Sequence, residues 1–149
     1  MRQRLKLIFV LTALVARAAS SAQPDFGAYT TAEHFVGTSA APLFRTARDK
    51  EFSTVLRNAA KSKANYAGHY ILASIGCGTS CLMVAALDAK SGHVTWLPVT
   101  LCCWAPDVAE PVEFRLNSSL IILRGKQDEA GPGGAHYWRL SGQHFLPVK

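Results

Sequence analysis

The chain has 149 residues, with 16 Lys and Arg against 10 Asp and Glu, and its 49% hydrophobic content excludes a disordered chain. That length suits one domain, large enough to bury a core without disulfides being essential. The basic excess is misplaced for nucleic acid: Arg2, Arg4, Lys6 and Arg17 all precede residue 23, and residues 23–149 hold 12 basic and 10 acidic residues, a net charge of +2.

The N-terminus reads as a secretory signal peptide over residues 1–22. Arg2, Arg4 and Lys6 form a positive n-region, Leu7 to Ala16 an apolar stretch, and Ser20-Ser21-Ala22 a small-residue cleavage site before Gln23. The apolar stretch falls short of the ~20 residues of a membrane span, so the cleaved chain is expected to be exported and not membrane-spanning. Residues 23–45 show no sustained period and carry Pro24, Gly27, Gly37 and Pro42. They are expected to form an irregular arm over the core, with Phe26, Tyr29, Phe35 and Phe44 as anchors. The remainder, 46–149, reads as a single helix-plus-β domain.

Thr46 followed by Asp49 resembles a capping box with Asp in place of Glu. Phe52, Val55, Leu56, Ala59 and Ala60 then recur at helical spacing on one face, predicting a helix that ends near Asn65. Arg57, Lys61 and Lys63, the one local cation cluster, lie late in it, where they complement the helix dipole. His69–Ile75 and Leu82–Leu87 are nearly continuous apolar runs, the pattern of strands buried on both faces. Asp88-Ala89-Lys90-Ser91-Gly92 reads as a hairpin turn with Gly92 left-handed, and His93–Val99 returns with Val94 and Trp96 on one face. Val112, Phe114 and Leu116 alternate with Glu113 and Arg115; Asn117-Ser118-Ser119 turns into Leu120–Leu123. A polar, Gly-rich loop is expected from Gly125 to Gly134, followed by strands His136–Leu140 and His144–Val148. The expected fold is mainly β, α+β by content: an antiparallel meander, curled or barrel-like, of about seven strands with one N-terminal helix.

Gly76-Cys77-Gly78-Thr79-Ser80-Cys81 sits between two of these strands, and Cys102 and Cys103 are adjacent. An even cysteine count in an exported chain points to disulfides. A bond between neighbouring residues is geometrically the least favourable pairing. Full oxidation is therefore expected to cross-link Cys77 and Cys81 to Cys102 and Cys103. With one bond only, Cys77–Cys81 competes. Zinc fits poorly because Cys-Cys is not a ligand knuckle, and a redox pair would prefer Cys-x-x-Cys opening a helix. No metal or cofactor is expected.

Walker, His-Glu-x-x-His and dinucleotide motifs do not occur, and Gly78-Thr79-Ser80 lacks the second glycine of a nucleophile elbow. His69 falls among apolar strand residues, where a hydrogen-bonded core imidazole is the simplest expectation; His93 and His144 begin strands beside turns. His136 follows a loop with Asp128 and Glu129, a pairing that suits proton transfer or metal holding.

Asn65-Tyr66-Ala67-Gly68-His69-Tyr70, the Gly76–Cys81 hexapeptide, Asp88-Ala89-Lys90-Ser91-Gly92-His93-Val94, Phe114-Arg115-Leu116-Asn117-Ser118 and Glu129…His136-Tyr137 together resemble the core of a family of small exported bacterial proteins. The resemblance covers about residues 45–148. It implies export and domain extent, and carries no activity.

The leading expectation is a periplasmic or secreted, non-enzymatic envelope module that binds a protein or glycan through Trp96, Trp104, Tyr137 and Trp138. The alternatives are a hydrolase or thiol-dependent enzyme built on His69, His136, Glu129 and a cysteine, or a metal-handling protein.

Overall fold

A computed structural model describes residues 23–149, so the signal-peptide reading lies outside the described residues. Two short helices, α1 (Ala47–Glu51) and α2 (Ser53–Ala59), precede eight strands: β1 (Tyr70–Gly78), β2 (Cys81–Asp88), β3 (Val94–Trp96), β4 (Leu101–Cys102), β5 (Val112–Phe114), β6 (Leu120–Gln127), β7 (Ala130–Ser141) and β8 (His144–Val148). All pair antiparallel in one sheet, in the order β1-β2-β4-β6-β7-β8, with β3 on β2 and β5 on β6. The expected mainly β meander is present, with eight strands. β3 touches β8 without pairing to it, so the sheet folds over on itself but does not close into a barrel.

The sheet consists of two halves. β2 pairs with β1 along one edge and divides its other edge between β3 and β4. β6 pairs with β7 along one edge and divides its other between β4 and β5. Among the described residues the two-residue β4 is thus the only strand laddered to both halves, and the sequence pattern did not disclose it: two residues are too few to show a period.

β1 and β2 are buried on both faces, which explains their continuous apolar runs. Tyr70, Leu72, Val84 and Ala86 face a core shared with Leu101, Ile121, Leu123, Trp138, Leu140 and Phe145. Ile71, Ile75, Ala85 and Leu87 face a second core under the helices, with Leu56 and Val94.

The capping box forms: Thr46 Oγ1 accepts from the Asp49 amide at 3.1 Å, and Asp49 Oδ2 accepts from the Thr46 and Arg45 amides at 2.7 and 2.9 Å. Asp49 is 2% exposed, and its Oδ1 accepts the Trp96 indole N–H at 2.8 Å. Burial alone would raise its carboxyl, but the Trp96, Thr46 and Arg45 donors outweigh that and hold it below the usual value. The predicted single helix is broken at Phe52 (φ −95°, ψ 17°) and stops at Ala59 rather than near Asn65. Asn65 has another task, its side-chain oxygen accepting from the Leu72 amide at 2.8 Å. Of the predicted apolar face, Leu56 is fully buried while Val55 is 40% exposed.

The expected loop Gly125–Gly134 is instead a continuous ribbon. β6 and β7 run through it to a two-residue turn, Asp128-Glu129, in which both residues have positive φ (51° and 60°). Gly125 permits this, because a Cβ there would collide with the Cys102 carbonyl oxygen of β4. Opposite, Gly131-Pro132-Gly133 bulges out where the register shifts between Gly125 and Gln127.

Candidate functional site

The two ends of β2 carry most of the polar and sulfur chemistry. At its start, β1 shifts register between Gly76 and Gly78, leaving Cys77 outside the ladder, and a turn with Ser80 at φ 50° returns the chain to Cys81. Cys77 and Cys81 are bonded, their Cα atoms 5.1 Å apart. Cys102 and Cys103 are also bonded to each other, Cα atoms 3.8 Å apart. The expected cross-bonds are therefore replaced by two local ones. The adjacency objection is met by a left-handed backbone at Cys103 (φ 55°), while the bulge at Cys77 makes its bond to Cys81 a short local ring. Disulfides of this kind are compatible with an oxidising compartment.

A groove lies beside the second disulfide. One cavity of about 360 Å³ is lined by Cys103, Ala105, Val108, Gly125, Gly133 and Gly134, with Arg124 at its side. A second, also about 360 Å³, continues past Val108 and Arg124 to Asp107, Glu110 and Glu113. Arg124 is ion-paired with Glu113, which raises the guanidinium further above neutrality and keeps it charged. The Arg124 amide donates to the Pro111 carbonyl at 2.8 Å, tying the 103–111 loop to β6. Asp128 Oδ1 accepts from the Thr100 amide at 2.8 Å, fixing the ribbon tip against the approach to β4. The groove thus combines glycine backbone, the exposed Cys103 and small apolar side chains with the charged Arg124–Glu113 pair, and Asp107 and Glu110 stand at its far rim.

At the other end of β2, the N-terminal arm is clasped by the 65–70, 88–94 and 114–118 segments. Phe35 donates to the Gly68 carbonyl at 2.9 Å, Ala40 to Ala89 and Leu43 to Gly92 at 2.8 Å, and Thr31 to Asn117 at 2.9 Å. Ser118 Oγ donates to the carbonyls of Phe26 and Tyr29 at 3.0 and 3.1 Å. Gly68 and Gly92 both have positive φ (81° and 77°), and a Cβ on either would strike an arm carbonyl, that of Glu33 or Ala41. Tyr66 is fully buried, stacked on Phe145 and edge-on to Phe114, with its hydroxyl donating to the Ser119 carbonyl.

His69 is half-buried here rather than a hydrogen-bonded core imidazole. Its Nδ1 lies 2.9 Å from Glu33 and its Nε2 3.8 Å from Asp88. Nδ1 is buried without a well-aligned hydrogen-bond partner, despite the closeness of Glu33. Lys90 pairs with the same Glu33. The Lys90 hydrogen bond, opposed by partial desolvation and aided by His69, holds the Glu33 carboxyl below its usual value. Burial pushes the Tyr70 phenol up, as do the charges of Asp88 and Glu33, and its hydroxyl donates to the Gly142 carbonyl at 3.1 Å.

The site residues expected from sequence divide unevenly. Trp138 is buried and Trp96 is committed to Asp49, Phe52 and Arg48; neither is an exposed anchor. Trp104 is half-buried against the core, and Tyr137 lines only a small hollow of about 190 Å³ with His136. His136 pairs with Leu123 and its Nε2 lies 3.1 Å from the Gly125 carbonyl. Glu129 is at the ribbon tip, beyond Ala130, whose partner Gln127 is four residues along β6 from Leu123, the partner of His136, and so roughly 13 Å or more away. His69 lines a different cavity from His136. The enzyme constellation is not assembled, and among the described residues no cysteine is free and no three His, Cys, Asp or Glu groups converge on a metal position. Glu33, Val108 and the Arg124–Glu113 pair had no sequence signal; Lys90 was visible only as a turn residue. Among the described residues no helix is long and apolar enough to cross a membrane. Comparison with protein-family models, curated proteins and solved structures finds no match.

Proposed function

We propose that this chain is an exported, non-enzymatic binding module of the bacterial cell envelope, periplasmic or secreted, akin to the small exported proteins its motifs resemble. Its ligand is an extended segment of a partner protein held in the groove between the 103–113 loop and the β6–β7 ribbon. The observation that carries this reading is the groove itself: two adjoining cavities with glycine backbone, Cys103 and small apolar side chains in their walls, the Arg124–Glu113 pair between them, and Asp107 and Glu110 at the far rim. Gly133 and Gly134 leave backbone open between the Ala105, Val108 and Cys103 side chains, which admits close approach of another backbone, and Asp107 and Glu110 complement a basic segment. A glycan is less well served, since Trp96 and Trp138 are occupied inside the fold.

The test is selection of peptides on the immobilised oxidised protein, with a glycan array run in parallel. Basic extended peptides are expected to bind more weakly as salt rises. Val108→Arg, which fills the groove, should lower affinity about tenfold or more, the loss of one well-buried contact. Retention of glycans but not peptides would assign the wrong ligand class, and unchanged binding by Val108→Arg would assign the wrong surface.

A further inference from the structure

The two disulfides are neighbours. Cys81 is the direct antiparallel partner of Cys102 in the β2–β4 ladder, and Cys102 is in turn the partner of Lys126 on β6. Residues directly opposite share a face of the sheet, their Cβ atoms about 4.5–5.5 Å apart, and a disulfide needs about 3.5–4.5 Å. A small shift of the two-residue β4 covers the difference. The four sulfurs therefore follow one another as Cys77–Cys81 facing Cys102–Cys103. The outer two, Cys77 and Cys103, belong to exposed residues; Cys81 is half-buried and Cys102 is 2% exposed.

We infer that these four cysteines form a thiol-triggered exchange relay that converts two local disulfides into one Cys81–Cys102 staple between the halves of the sheet. The trigger is a dithiol, small or carried by a protein. Its thiolate attacks the exposed Cys103 sulfur, forming a mixed disulfide, and the broken bond leaves its electron pair on Cys102. Lys126, paired with Cys102, places a positive side chain on the same face to favour that thiolate. The Cys102 thiolate attacks the Cys81 sulfur opposite; the Cys81–Cys102 bond forms, Cys77–Cys81 breaks, and Cys77 leaves as thiolate. The second thiol of the reductant resolves the mixed disulfide, releasing Cys103 and closing the oxidised reductant. Two electrons and two protons pass from the dithiol to the protein, ending as thiols on Cys77 and Cys103. Attack at exposed Cys77 runs the same chain in reverse order and gives the same product. Because Cys103 lines the groove, the relay would also remove the disulfide from its wall, although the exchange itself does not depend on what the groove binds.

Limited reduction with dithiothreitol, trapping with iodoacetamide and disulfide mapping of the two-electron-reduced full-length mature protein tests this. The expected species is labelled at Cys77 and Cys103, with a Cys81–Cys102 cross-linked peptide. Labelling of Cys102 with Cys103, or of Cys77 with Cys81, would overturn the relay, as would passage directly to four labelled cysteines. In a second measurement, the Cys77→Ser/Cys103→Ser double variant should close Cys81–Cys102 on mild oxidation as a monomer. A folded variant that keeps both thiols free would contradict the pairing; should the variant not fold, the wild-type mapping decides.

Discussion

The two ends of β2 solve opposite problems with the same residue types. At the histidine end, glycines are packed solid: Gly68 and Gly92 lie under arm carbonyls, and backbone bonds from Phe35, Ala40 and Leu43 seal the contact. At the cysteine end, Gly76, Gly78, Gly131 and Gly134 have nothing within 4 Å of where a Cβ would stand. One end grips the arm through backbone contacts and keeps a cavity of about 260 Å³ beside His69, while the other is held by covalent bonds and presents the groove. The contrast teaches that motif density alone does not mark a binding surface. The motifs around His69 and Asp88 hold the protein's own arm, while the Gly76–Cys81 motif lies at the open end, whose groove adjoins the less patterned stretch after Cys103.

Substitutions can break this contrast, beginning with the histidine end. Tyr66→Ala removes a fully buried ring and its hydroxyl bond, and should destabilise by about 3–5 kcal/mol in chemical denaturation. Asp49→Ala, which strips the capping box and the Trp96 partner together, should cost about 2 kcal/mol by the same measurement. Gly92→Ala forces a Cβ into the Ala41 carbonyl at a positive φ and should cost about 1–3 kcal/mol, with faster hydrogen exchange at the Ala40 and Leu43 amides. Gly76→Ala at the open end, with free space and no left-handed backbone, should stay within about 0.5 kcal/mol of wild type.

The arm also offers a pH handle. Glu33 has its folded carboxyl lowered by Lys90, so its contribution to arm docking is present above its unfolded value, near 4.5, and disappears as pH falls through the lower folded value. The protection factor of the Phe35 amide, its exchange relative to the unstructured rate at the same pH, should therefore hold steady from neutrality to mildly acidic pH and fall only below the ordinary carboxylate range. Lys90→Ala should move that onset upward. An onset unchanged by Lys90→Ala would show that the backbone bonds alone hold the arm.

Much of the fold was legible because burial leaves a pattern. The two-faced strands β1 and β2, the Thr46–Asp49 cap and the left-handed Gly92 all follow from local chemistry. What escaped was either too short or too indirect to leave one. β4 has two residues; the ribbon tip uses Asp128-Glu129 where Asn-Gly is the usual signature; and Gly-rich β7 looks like a loop until Gly125 is seen beneath β4. The local disulfides escaped because a backbone kink at Cys103 and a bulge at Cys77 decide them, and neither can be read from cysteine spacing. Candidate site residues fared least well, since Trp96 and Trp138 look like anchors by type and prove to be core by position.

The brevity of β4 has a last consequence, for how the molecule can be cut. The strands before Cys103 build one half of the sheet and those after Pro111 build the other, and the largely exposed loop between them crosses from one to the other around the groove. Severing them leaves β4 without β6 on one edge and β6 without β4 on the other, and the shared core of Val84, Leu101, Ile121 and Leu123 would lie open. The halves are therefore natural fragments for complementation. Pieces severed near Asp107 should be individually unfolded and should reassemble when mixed, so a reporter split at that loop would record the joining of two incomplete sheets.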